Sequence, residues 1–419
     1  MFEIKKHPLI NFLILIWLSH FIQVLVPETG FDAVWYHLPV VKSLFQNGRL
    51  IFSPELYQSA NPLFSDLFFY VGYFFLRDIG TKIVAFLFAV SLAFASYKLA
   101  RFFLSEKSSL ATTILISTFQ VISWQSSSFY VDVAKAFWEV LAIIFLLKSF
   151  DTKNIKYLFL SVLVFGASLG TKLFSIFLIP VYFLMLIILP NFRSKFIFKK
   201  IILLLVTIFF IPIFFYLNSY FQTGNPFYSF GIHLDKLSEI GGDQNIFKYF
   251  LSRTQLLLLS PFQLIISRDY VSPLLSILII PVMIKIKKII KNQKLLILLI
   301  FSVFQWLLWW YLPPLSTRYA LSGFITLLVL EIAVFKNYFY NNLDNKSLKY
   351  SRMSDISSKI NERNIILVLV FFAMLNLMPR LFVNYRSISY IFSDQTQKTY
   401  VEKFYDGSID QKLKDWYGY

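Results

Sequence analysis

Apolar runs of about twenty residues recur from one end of this chain to the other, the length that a hydrocarbon layer roughly 30 Å thick demands of a helix. Polar and apolar residues do not alternate within them as they do in barrel strands. In lipid such runs satisfy their backbone only as helices, so the sequence predicts an all-α, polytopic helical membrane protein. The 419 residues are 57% hydrophobic and 15% charged, with a mean hydropathy of +0.63, which excludes a soluble domain.

Charge then orients the bundle. Lys and Arg accumulate in cytoplasmic loops. The net charge of +17 is read in that way, not as a nucleic-acid face, because no soluble basic surface stands out. The first run, about 10–26, follows Lys5 and Lys6 but precedes no small-x-small cleavage site, so it is read as a retained span. Ten more spans are expected at about 80–100, 109–124, 133–148, 157–171, 173–190, 201–217, 274–290, 295–311, 319–335 and 365–382. Residues 62–76 are apolar but short and carry Asp66. A crossing there would put Arg101 and Lys107 outside, so they are read as a partly embedded helix within a first outer loop, 28–79. A second long outer loop covers 218–273, and residues 383–419 form an outer tail behind the 1–382 transmembrane domain. Arg193, Lys195, the KIKKIIKNQK stretch at 285–294 and the polar stretch 336–364 all fall inside.

The motifs dense enough for chemistry gather on the other face. In GFDAVWYHLP, 30–39, Asp32 opens a segment whose Val34, Leu38, Val41 and Phe45 recur at helical spacing. That aspartate reads either as the N-cap of an amphipathic surface helix or as a general base at the membrane surface, with Tyr36 and His37 lining the same pocket. Asp132, in FYVDVAKAF, stands at the outer mouth of a span, either at a favourable helix dipole end or as a second acidic group of the site. GASLGTK, 166–172, joins glycines suited to close helix packing to Lys172, which reads as a point charge for an anionic headgroup or as a snorkelling side chain. TGNPFY, 223–228, is a turn. STRYALS, 316–322, places Arg318 and Tyr319 after a Pro-Pro break, where an arginine can grip phosphate oxygens at two points.

Several chemistries are excluded. The chain has no cysteine, hence no disulfide, thiol nucleophile or thiolate metal site. It has no Gly-rich nucleotide loop after a strand, no Walker loop and no HExxH. Chemistry on the outer face therefore needs a substrate already activated and already in the membrane. No cofactor is required, although Asp32, Asp132 and Glu28 could share a divalent cation.

FDAVWYHLP at 31–39, YVD at 130–132, GTK at 170–172, TGNPFY at 223–228 and RY at 318–319 occur in an order and placement that spans most of 28–320. In these the chain resembles the GT-C class of membrane glycosyltransferases, and within it the bacterial members related to protein O-mannosyltransferases and lipid A aminoarabinose transferases. Many relatives carry adjacent acids in the first loop. Here Asp32 is followed by Ala33, and Glu28, the nearest other acid, is expected among the substrate-binding residues with Tyr36, His37 and Tyr319. The resemblance implies an inverting transferase that moves a sugar from a polyprenyl-phosphate donor to a glycan, lipid or protein acceptor. Asp32 takes the place of the catalytic base and Asp132 that of the second-loop acid, with Lys172 and Arg318 on the donor phosphate. The rival readings are a transporter or flippase for an anionic lipid-linked sugar, with the same cations but no base, and a scaffold for an envelope-polysaccharide complex. The Lys, Ile, Asn and Phe bias points to a bacterial plasma membrane.

Overall fold

The structure is a computed structural model describing residues 7–188, 197–229, 246–266, 271–312, 316–337, 351–393 and 396–404. The expected basic turn at Arg193 and Lys195 lies outside those residues, as do parts of the 218–273 loop, the 336–364 stretch and the tail. Among the described residues the architecture is helical throughout, with a single isolated bridge between Ser53 and Leu56.

Helix α1 (Pro8–Ile22) continues through a 3-10 turn to Leu25 and delivers the chain to the Glu28–His37 segment. The surface helix expected after Asp32 is α2 (Leu38–Asn47), which follows a π-type turn over Ala33–His37 and buries Leu38, Pro39, Val40 and Val41.

Helix α3 (Phe64–Ala100) has the length of nearly two spans but doubles back at its middle, where Leu76 leaves helical geometry and Arg77 takes a φ of 53°. Gly72 and Gly80 would stand about 12 Å apart in an unbroken helix, yet a Cβ on Gly80 would lie 1.9 Å from the Gly72 carbonyl oxygen. Phe68 and Phe88 likewise meet, with ring centroids 5.5 Å apart. Residues 64–76 are thus a short arm lying against the 78–100 helix, not the first half of a span. Phe68, Val71, Phe74 and Phe75 stay exposed along it, as an embedded arm requires.

The expected span at 109–124 is divided into α4 (Glu106–Ser117) and α5 (Gln120–Gln125). A break inside lipid leaves backbone groups that need partners. Here buried His20 bonds the Ser117 carbonyl at 2.9 Å, and buried Arg380 donates to Ser123 Oγ at 3.0 Å and Ser127 Oγ at 3.3 Å. Helices α6 (Asp132–Thr152) and α7 (Ile155–Thr171) run antiparallel and pack closely along their lengths. A Cβ on Gly166 would lie 2.4 Å from the Ile208 carbonyl oxygen, so this glycine admits the backbone of the helix Ile197–Phe209.

The expected span at 173–190 opens as a 3-10 turn, Leu173–Leu178, before Ile179–Ile188. That at 201–217 is a bent pair, Ile202–Phe209 and Ile213–Thr223, at 64°. In the TGNPFY turn Asn225 Oδ1 accepts the Phe227 N–H at 2.9 Å, and Gln222 just before it donates to the Leu50 carbonyl at 3.0 Å. Pro273–Lys291, Gln293–Tyr311 and Leu321–Phe335 fall where spans are expected, while Ser351–Ile391 runs beyond the expected end at 382. Gln397–Phe404 folds back on that last helix, with Tyr400 Oη 2.9 Å from Ser387 Oγ. Among the described residues five helices are long and apolar enough to cross a membrane, or six if the bent pair is one span. One of the five is the α3 hairpin, whose length overstates its reach. The remaining expected spans correspond to shorter or broken helices, or to helices such as Asp132–Thr152 and Pro273–Lys291 that are long enough but carry more charge.

Candidate active site

The site forms where the first loop, the start of α6, the end of α7 and the 316–320 turn meet. Asp32 is placed by its backbone N–H, which donates to Tyr130 Oη at 2.9 Å. Its carboxylate makes no capping bond to the turn that follows, contrary to the N-cap reading. Instead Asp32 Oδ2 pairs with Arg318 Nη1 at 2.7 Å.

Arg318 sits in a 3-10 turn, Thr317–Ala320, with its guanidinium carbon 5.4 Å from the Tyr130 ring centre and 5.1 Å from that of Tyr319. Its Nε is 3.9 Å from Asp132 Oδ2, too far for a hydrogen bond, and this buried N–H has no hydrogen-bond partner. A buried donor left this way carries a desolvation cost of roughly 1–3 kcal/mol, which an incoming anion would relieve.

Asp132 opens α6 and is sealed from solvent at 1% exposure. Its oxygens accept from Gln125 Nε2 at 3.0 Å and from the ammonium of Lys172. Gln125 also accepts the Val133 N–H at 3.1 Å, so this glutamine caps the helix start. Lys172 ends α7, with its ammonium 4.4 Å from the Tyr319 ring centre, and Phe174 stacks on the same ring at 5.3 Å. The result is an alternating row, Asp32, Arg318, Asp132, Lys172, floored by Tyr130 and Tyr319. Asp32, Arg318 and Lys172 retain 16–18% side-chain exposure, so they can meet a ligand that cannot reach Asp132.

Tyr36 shares this field. Burial first, then the neighbouring Asp32 carboxylate, hold its phenol well above the usual tyrosine range. His37 stands behind it, with the two rings 4.1 Å apart, and its Nδ1 is bonded to Asp66 Oδ1 at 2.6 Å. That buried pair ties the first loop to the short arm of α3, with the His37 ring 6.2 Å from that of Tyr130. Glu28, expected to touch substrate, is turned inward. It accepts the Thr29 and Gly30 N–H groups at 3.0 and 2.7 Å, Ser128 Oγ at 2.7 Å and the Phe129 N–H at 3.3 Å. Glu28 thus shapes the loop that carries Asp32.

A shared divalent cation does not suit this donor set. Among the described residues no three His, Asp or Glu side chains converge. Arg318 and Lys172 already neutralise Asp32 and Asp132, and Glu28 is taken up by amides. Sequence reasoning passed over Gln125, Lys135 and Glu139. The last two are legible in FYVDVAKAFWEV as charges three and seven residues after Asp132, on one face of an apolar helix.

Residues 63–217 match the family model described as dolichyl-phosphate-mannose-protein mannosyltransferase. No curated protein matches the chain. Among solved structures it is similar to ArnT from Cupriavidus metallidurans in the apo state, at a TM-score of 0.57 and 11% identity over 88% of this chain and 75% of that one. ArnT bound to undecaprenyl phosphate gives 0.56 and 12%, over 96% and 76%. The archaeal oligosaccharyltransferase AglB from Archaeoglobus fulgidus, in complex with an inhibitory peptide and a dolichol-phosphate, gives 0.52 and 13%, over 98% and 61%. At such identities the likeness establishes the fold. The chain shares the polytopic helical fold of ArnT and AglB.

Proposed function

We propose, from a chain of GT-C fold with this row of charges, a membrane glycosyltransferase that moves a sugar from a polyprenyl-phosphate donor to an acceptor hydroxyl on the extracytoplasmic face. The observation that carries the reading is the Asp32–Arg318 pair, partly open to solvent and backed by the sealed Asp132. A phosphate entering the site would compete for the guanidinium, satisfy the unpartnered Nε and loosen the hold on Asp32. Asp32 would then take the proton of the acceptor hydroxyl while its oxygen attacks the anomeric carbon. The bond from that carbon to the phosphate oxygen breaks, and the electron pair leaves with the lipid phosphate from the opposite face, with inversion. Arg318 and Lys172 stabilise the charge growing on the departing phosphate, where preorganised cations act most strongly. Asp132, out of reach of the acceptor, keeps the two cations in place. Tyr36, protonated, is left to hydrogen-bond sugar or phosphate oxygens. The family match and the ArnT and AglB complexes support a lipid-phosphate donor without naming its sugar.

The test is sugar release from a panel of polyprenyl-phosphate sugars by purified protein, wild type beside Asp32→Asn. Turnover lost in the variant with donor binding retained supports the transferase. Equal consumption by both proteins removes Asp32 as the base, and donor movement across vesicles without sugar release favours a transporter.

A further inference from the structure

The two cations of the site sit on separate elements, and one buried carboxylate reaches the segments of both. Glu139, two turns below Asp132 on α6, is fully buried. It accepts from Ser168 Oγ at 2.8 Å and Ser175 Oγ at 3.2 Å, which stand one turn before and one turn after Lys172. It also accepts from Gln305 Nε2 at 3.1 Å and from the hydroxyl of Ser322, just past Arg318. Lys135 closes the network. Its ammonium donates to Glu139 Oε2 at 3.0 Å and to the backbone carbonyl of Tyr319 at 3.2 Å, and the Tyr319 ring lies against both Lys172 and Arg318.

The segments joined in this way are the 3-10 turns Leu173–Leu178, which Glu139 reaches through Ser175, and Thr317–Ala320, which it reaches through Lys135 on the Tyr319 carbonyl and from the helix that follows through Ser322. Neither has a helical ladder long enough to fix its own position. We propose that Glu139 is a positioning residue that sets the spacing between these two turns, and so between the Lys172 and Arg318 cations. Its value to a lipid phosphate rests on the function proposed above, while the spacing itself does not. Stability alone is a poor account of the pair. Well-packed apolar residues of similar volume often serve at least as well as a buried ion pair, and ionisable groups at membrane depth mark function by default. The carboxylate gathers donors from α6, α7, the following turn and the helices Gln293–Tyr311 and Leu321–Phe335, which a point of ordinary packing does not need.

Because the chain has no cysteine, the spacing can be read without any ligand. In Phe174→Cys/Tyr319→Cys protein, crosslinking by a short bifunctional maleimide is expected to slow at least tenfold when Glu139→Gln is added, and to recover in part with Glu139→Asp. In the cysteine-free protein, Glu139→Gln is expected to weaken undecaprenyl phosphate binding at least tenfold. Adding Arg318→Ala to it should then cost less than a further twofold, because the arginine is already displaced. An unchanged crosslinking rate in folded Glu139→Gln overturns the proposal, as does a purely multiplicative effect of the two substitutions on binding. If Glu139→Gln does not fold, Lys135→Met/Glu139→Met removes the pair without stranding a charge and is read by the same criteria. Slower crosslinking in Glu139→Gln, in a protein whose wild type binds no undecaprenyl phosphate, upholds the spacing role and sinks the lipid-phosphate reading.

Discussion

Arg318 holds Asp32 at 2.7 Å while its Nε, 3.9 Å from Asp132, has no hydrogen-bond partner. One guanidinium thus restrains the accessible carboxylate and keeps a donor in reserve. Substitutions along this row should separate proton transfer from donor binding.

Asp32→Asn should lower kcat by about 10²–10⁴-fold, the usual contribution of a positioned general base. Donor affinity should stay within a few-fold of wild type or tighten, since the variant no longer competes for Arg318. Single-turnover sugar transfer, measured beside equilibrium donor binding, checks both. A variant that loses binding and rate in parallel would falsify the division of roles.

Arg318→Lys should weaken donor binding roughly tenfold or more even though the charge is kept. A point-charge ammonium cannot reproduce two parallel N–H contacts to phosphate oxygens. The readout is KM for the lipid-linked donor, and a KM unchanged from wild type would show that Arg318 does not bind it.

Asp132→Asn should destabilise the protein by about 3 kcal/mol or more, because it leaves Lys172 and Arg318 together without their buried counter-charge. Lys172→Met added to it should recover part of that loss. Thermal unfolding in detergent of the two single variants and the double variant completes the cycle, and strictly additive losses would count against direct coupling.

Tyr36→Phe should reduce turnover but leave the alkaline limb of the pH–rate profile where it is. Burial and the Asp32 carboxylate raise the phenol above its ordinary range, so Tyr36 is protonated at neutral pH and remains so as the pH rises through that range. An alkaline limb that moves in Tyr36→Phe would mean that ionisation of this phenol is what the profile reports.

Gly80→Ala should open the α3 hairpin, since the added carbon falls 1.9 Å from the Gly72 carbonyl oxygen, an atom that cannot swing away. A loss of roughly 1–3 kcal/mol is expected from overpacking of this kind. Activity should fall with it, because the His37–Asp66 pair ties that arm to the loop bearing Asp32.

The membrane-spanning character of the chain was legible in its sequence because bilayer thickness imposes a local rule on run length, and hydropathy is a local property. Among the expected spans, those near 295–311 and 319–335 coincide with helices long and apolar enough to cross, while those near 133–148, 157–171 and 274–290 coincide with helices that are too short or too charged to meet that test. The short arm at 64–76 was legible as well, through its length and Asp66, although its reversal depends on the backbone of Arg77 and the contact of Gly72 with Gly80. The break inside the expected 109–124 span was not legible, because it is stabilised by His20 and Arg380, which arrive from helices far away in the chain. The same holds for the site. Asp32, Asp132, Lys172 and Arg318 are each visible as charges beside apolar runs. That Asp32 pairs with Arg318 instead of capping its own turn, that Glu28 turns inward, and that the Lys135–Glu139 pair bonds the segments beside both Lys172 and Arg318 were decided by tertiary packing. A charge in a low-dielectric interior is stabilised by whichever opposite charge the fold brings within a few ångströms, and that distance is a property of the assembled helices alone.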